Sequence, residues 1–200
     1  MSTDTAFPVL HTTDHAEALR VARQLLTIGV QDDTQVSVDV ELPTVEEVLR
    51  ARRALPKAWF RTEDVDDWIR DQSDPTGLHG GVQAPELSVD PGFLSPYLPL
   101  WAEMWGRPVG SVEDAFTALV GPHLGEIHWS NLIWPGVPEL GLYREVKHAE
   151  VSVLFNARDR HLEARADHHT VLVHVRHNEL HASWVAEQIG RSVVGPPQRP

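Results

Sequence analysis

Apolar residues recur every three to four positions in some stretches of this chain and every second position in others, and the two periods mark helices and strands. "TTDHAEALRVARQLLTIGV" places Leu19, Ala22 and Leu26 on one helical face, with Asp14 as cap, Glu17 three residues on and Gly29 past the end. "TQVSVDVEL" alternates strictly, Val36, Val38 and Val40 facing one way and Ser37 and Asp39 the other, as in a half-buried strand. "PTVEEVLRARRAL" returns to the helical period, with Thr44 and Glu47 in capping-box spacing and Pro56 after its end. "TEDVDDWIRD" predicts a short helix with Val65, Trp68 and Ile69 on one stripe. Two more short helices are predicted, "PLWAEMWG" with Trp101 and Trp105 at i, i+4, and "SVEDAFTALVG" capped by Ser111 and closed by Gly121 and Pro122.

The last third reads as strands followed by a helix. "GEIHWSNLIW", "LYREVKHAEVSVLFNA" and "LEARADHHTVLVHVR" form a predicted meander turning at "ARDR", and "NELHASWVAEQIG" closes it as a helix capped by Asn178. The expected fold is α+β, with a mainly antiparallel sheet in the C-terminal third, an N-terminal strand as a candidate to join it, packed against several short helices. One domain is expected over residues 1–190, with a flexible tail at 191–200. Residues 72–99 break the pattern: they are rich in Pro and Gly and aperiodic, and read as a long loop. Apolar residues within it (Leu78, Phe93, Leu94, Tyr97 and Leu98) imply that the loop packs on something.

Composition narrows the function. Seventeen Lys and Arg face twenty-nine Asp and Glu, a formal net charge of −12, which disfavours nucleic acid and anionic membrane as partners and suits a basic protein. The absence of Cys removes disulfides, thiolate metal sites and cysteine nucleophiles. With no apolar run of spanning length and no signal-peptide pattern at the start, the expected setting is the cytoplasm. No phosphate-binding glycine loop, nucleophile elbow or zinc-protease motif occurs. "HNELH" has histidines at i, i+4, but its glutamate is one place late for that last chemistry.

Histidine is the residue that alternation arranges most suggestively. In the meander, His148, Glu150 and Ser152 share one face, Thr170, Leu172 and His174 another, and Glu126, His128 and Ser130 a third. Were these strands neighbours, one sheet face would carry His128, His148, His174, Glu126 and Glu150. Imidazoles beside carboxylates can hold a divalent metal such as zinc, or do acid–base work. An ordinary solvent-facing sheet surface predicts the same alternation and is the simpler expectation.

The leading expectation is therefore a non-enzymatic acidic binding protein that recognises a protein partner, in the manner of an adaptor or an immunity-type inhibitor. It needs no cofactor, and its contact surface would be Trp101, Trp105 and Tyr97 beside the long loop. The alternative is a metal-binding protein or small enzyme using His128, His148, His174, Glu126 and Glu150.

Overall fold

A computed structural model of the chain describes residues 4–62, 76–176 and 178–199. Among these are β1 (Thr5–Thr12), α1 (His15–Leu26), β2 (Gln35–Leu42), α2 (Val45–Ala54), β3 (Trp59–Thr62), β4 (Val82–Gln83), α3 (Pro91–Leu94), β5 (Leu100–Pro108), α4 (Glu113–Val120), β6 (Gly125–Ser130), β7 (Glu150–Phe155), β8 (His169–Val175) and α5 (Glu179–Glu187). The fold is α+β, with antiparallel strand pairing. The expected sheet lies mainly in the last third, with an N-terminal strand as a candidate to join it, but paired strands occur along the chain from Thr5 to Val175. No helix among the described residues is long and apolar enough to cross a membrane. Tertiary contacts divide the chain into two compact units, Met1–Val36 with Leu124–Pro200, and Ser37–His123. The helix expected over "TEDVDDWIRD", with Trp68, lies outside the described residues apart from its first residue, Thr62.

In the first unit the strands lie in the order β1-β8-β7-β6. The register sets Val151 opposite Val173 and Val153 opposite Val171, so the valines of β7 and β8 share one face. All four are fully buried. Helix α1 packs on β7 and β8 and buries Leu19, Ala22, Leu25 and Leu26. Asp14 caps it by accepting from the backbone N–H of Ala16 and Glu17 at 2.8 and 3.3 Å. Glu17 does not complete a capping box, because its carboxylate accepts instead from the Thr12 hydroxyl and the Arg191 guanidinium.

Strand β1 carries no clean alternation, since its register shifts between Pro8 and Leu10. Such a bulge tolerates the missing N–H of proline. The residues expected as a loose tail run along β1: Ala6 and Gln198 exchange backbone hydrogen bonds, and Val194 N–H donates to the Pro8 carbonyl. An open strand edge is an aggregation hazard, and this segment pairs with β1 at those positions.

The second unit has the strand order β2-β5-β3-β4. β2 alternates as predicted, with Val36, Val38, Val40 and Leu42 buried. "PLWAEMWG" is strand β5 rather than a helix, paired with β3 so that Trp59 faces Glu103 and Arg61 faces Trp101. An i, i+4 spacing is compatible with both periods, and five consecutive buried residues from Leu100 to Met104 erase the alternation that would mark a strand. Within the supposed loop 72–99, the described part is structured. Leu78 and Leu94 are fully buried, Ala84 N–H donates to the Ala58 carbonyl, and Asp90 caps α3. Helix α4 lacks the expected Ser111 cap. The Glu113 carboxylate accepts from the N–H groups of Gly110 and Val112, while the Ser111 hydroxyl donates to the Pro108 carbonyl.

The predicted capping box of α2 is complete. Thr44 Oγ1 accepts from Glu47 N–H, and Glu47 accepts from Thr44 N–H at 3.1 Å. Thr44→Ala is expected to lower stability by about 1 kcal/mol, read as a lower urea midpoint at unchanged slope.

Candidate functional site

Four neighbouring strand positions in the first unit bring a set of ionisable side chains together. Glu150 is opposite His174, Ser152 is opposite Leu172, and His128 is opposite Ser152, so these residues share one sheet face. Ala6 is opposite His174, which puts Asp4, two residues upstream, in phase with the same face. His128 Nε2 lies 2.9 Å from Glu150 Oε2. His174 Nδ1 lies 3.1 Å from Asp4 Oδ2 and 3.8 Å from Glu150 Oε2. The His128 and His174 rings stack with centroids 5.3 Å apart. Arg160, in the β7–β8 connection, donates to Asp4 at 3.0 Å.

The expected wet face is therefore largely closed. Ser152 and His174 have no exposed surface, and the side chains of Asp4, Arg160, Glu150 and His128 are only 12–26% exposed. Trp134 fixes the strand from behind, its indole N–H donating to the His174 carbonyl at 2.8 Å.

Burial and pairing compete in every group of the cluster. Burial opposes the charged form of Asp4, but the His174 hydrogen bond outweighs it, and Arg160 adds to that, so its carboxyl lies well below the usual carboxylate range. Burial likewise opposes ionisation of Glu150, yet His128 and His174 hold its pKa below the ordinary value. His128 is raised: desolvation works against its imidazolium, but the hydrogen bond to Glu150 and the charges of Glu126 and Glu150 prevail. His174 is lowered, chiefly by complete burial and also by the charges of His128 and Arg160. A neutral His174 donates from Nδ1 to Asp4 and accepts the Ser152 hydroxyl at Nε2, 2.9 Å away. Carboxylate, imidazole and hydroxyl thus stand in the order of a hydrolase triad, but with Ser152 wholly buried no substrate carbonyl reaches the hydroxyl.

Of the sequence-predicted set, the structure brings together His128, Glu150 and His174, and places Glu126 close enough for its charge to act on His128. His148 is not among them. Its φ is +61°, so the chain turns through the left-handed region there and β7 starts only at Glu150. Ser152 keeps its predicted phase with Glu150, and Asp4 and Arg160 join the network from outside the predicted face. Asp4 precedes β1, whose alternation is broken by its bulge, and Arg160 ends the "ARDR" turn of the predicted meander. Of the predicted contact residues, Trp101 is a core residue at 4% exposure, Tyr97 is half-buried against Phe93, and Trp105 is 58% exposed. His181 of "HNELH" is buried, near the Pro135 carbonyl and Glu145. Comparison with protein-family models, curated proteins and solved structures found no significant match to this chain.

A second histidine group lies at the other end of β8. His169 packs between His15 and Phe155, and Asn156 N–H donates to its Nδ1. Burial, reinforced by the charges of His15 and His168, pushes its pKa down from 6.5 to about 4. Between those values the unfolded chain takes up a proton that the native state refuses, so His169 makes stability fall as pH drops from 6.5 towards 4. In His169→Gln the loss of stability over that interval should be shallower than in the wild type, as measured by urea midpoints across a pH series.

Proposed function

We propose that this is a non-enzymatic, acidic cytoplasmic protein whose second unit docks a basic protein partner, with Trp105 as the anchor. The observation that carries the reading is the exposure of Trp105 at 58%, within β5, where the next residue, Gly106, has its N–H tied to Ser37 Oγ. An exposed indole on a hydrogen-bonded strand is a rigid, largely apolar contact with one polar handle, the kind of residue that dominates interface energies.

Charge supports the same unit. Residues 37–123 hold fifteen Asp and Glu against seven Lys and Arg, whereas the rest of the chain holds fourteen against ten. A surplus of eight negative charges steers a basic surface towards this unit and speeds its association. A second apolar surface, formed by Tyr143 and Val146 in the first unit, is rimmed by Arg144, Lys147 and Arg176 and suits a basic partner less well. The sealed Ser152 and His174 favour binding over hydrolysis.

A complex captured on the immobilised protein should weaken steadily as salt rises from about 0.05 to 0.5 M, because screening shortens the reach of the acidic surplus. Trp105→Ala should cost about 2 kcal/mol of binding free energy, and Tyr143→Ala should cost little. An affinity indifferent to both salt and Trp105 would remove the proposal.

A further inference from the structure

We propose that Asp4, His128, Glu150 and His174 form a binding site for one divalent cation of the zinc class. The ligand atoms come from β6, β7, β8 and the residue just before β1. Asp4, Glu150 and His174 each present a ligand atom within 4.8 Å of the other two. Along the set the separations are 3.1 Å from Asp4 Oδ2 to His174 Nδ1, 3.8 Å on to Glu150 Oε2, and 2.9 Å on to His128 Nε2. A tetrahedral ion with bonds of about 2.0–2.2 Å needs ligand-to-ligand edges of about 3.3–3.6 Å, which the Asp4–His174 and His174–Glu150 separations bracket, whereas His128 stands outside that three-residue group, stacked on His174, and joins the shell by turning its ring towards the ion.

The donor chemistry selects the ion. Two imidazole nitrogens and two carboxylate oxygens suit a borderline ion that accepts four ligands. Calcium would need six to eight oxygens, and the face offers too few. Two carboxylates balance a dication within its own shell, and the Arg160 guanidinium beside Asp4 leaves one positive charge in the surroundings.

The surroundings have the features of an outer shell. His174 Nε2 is held by Ser152 Oγ, and a hydroxyl can either donate or accept. When an ion takes Nδ1, the ring proton moves to Nε2 and is donated to Ser152, which fixes the ligating tautomer. Arg160 bonds Asp4 through Nη2, while its Nη1 is buried without a hydrogen-bond partner. That guanidinium has donor capacity to hold the second oxygen of Asp4 once the first binds metal. His174 closes the floor of the site, and the partly exposed His128 and Glu150 side chains leave the approach open.

The test uses the full-length, untagged protein freed of metal by a chelator, titrated with zinc chloride by calorimetry and then loaded with cobalt(II). One zinc per chain is expected, with a rise in Tm, and the cobalt form should show the intense visible absorption of a four-coordinate site. Asp4→Asn, His128→Gln and Glu150→Gln should each weaken zinc by about 10-fold or more. His148→Ala should leave it unchanged. These conservative variants avoid emptying the buried His174 position, and far-ultraviolet circular dichroism verifies their fold. The proposal is overturned by the absence of stoichiometric zinc in the wild type, by octahedral cobalt spectra, or by binding that survives Asp4→Asn and Glu150→Gln.

Discussion

The pairing of β7 with β8, with Glu150 opposite His174, is the constraint on which the rest of the first unit depends. Side chains alternate with a period of two, so a slip of one residue would exchange every partner across the sheet. In the observed register Val151, Val153, Val171 and Val173 lie against each other on one face, and a continuous apolar layer results. The same register leaves the opposite face with Glu150, Ser152 and His174, and β6 and Asp4 complete it. One geometric choice therefore makes both the core and the polar cluster.

Closing that polar face has an energetic consequence. A buried carboxylate or imidazolium is costly unless each charge meets a partner, and removing one partner of a buried pair typically costs about 3–5 kcal/mol. Here the partners interlock, Arg160 and His174 on Asp4, and His128 on Glu150. The cluster holds Asp4 (the residue before β1), the centre of β8 and the 156–168 connection in one arrangement. Its groups are poised between two ways of being satisfied, by one another or by a cation set among them.

In the second unit, burial rather than sequence spacing sorts the tryptophans. Trp101 and Trp105 belong to the same strand, yet one is enclosed and the other stands in solvent past the four residues of β5 that pair with β3. Arg61 is drawn to both Asp39 and Glu103, so part of the acidic surplus is spent internally and the remainder is available for long-range steering.

Local rules made much of this legible in the amino-acid order. The capping box at Thr44 and Glu47, the alternation of β2, β6 and the valines of β8, and the common phase of His128, Glu150 and His174 follow from periods and spacings within a few residues. What those rules could not supply was pairing between distant segments. Strand β5 read as a helix because its four-residue spacing fits both periods, and β1 was hidden by its bulge at Pro8 and Leu10. His148 left the face through a single left-handed residue, whereas Asp4 joined it across 170 positions of chain. Side-chain phase is decided by neighbours along the backbone. Register, burial and the company each ionisable group keeps are decided by contacts whose partners are far apart in sequence, and only the folded chain brings those partners together.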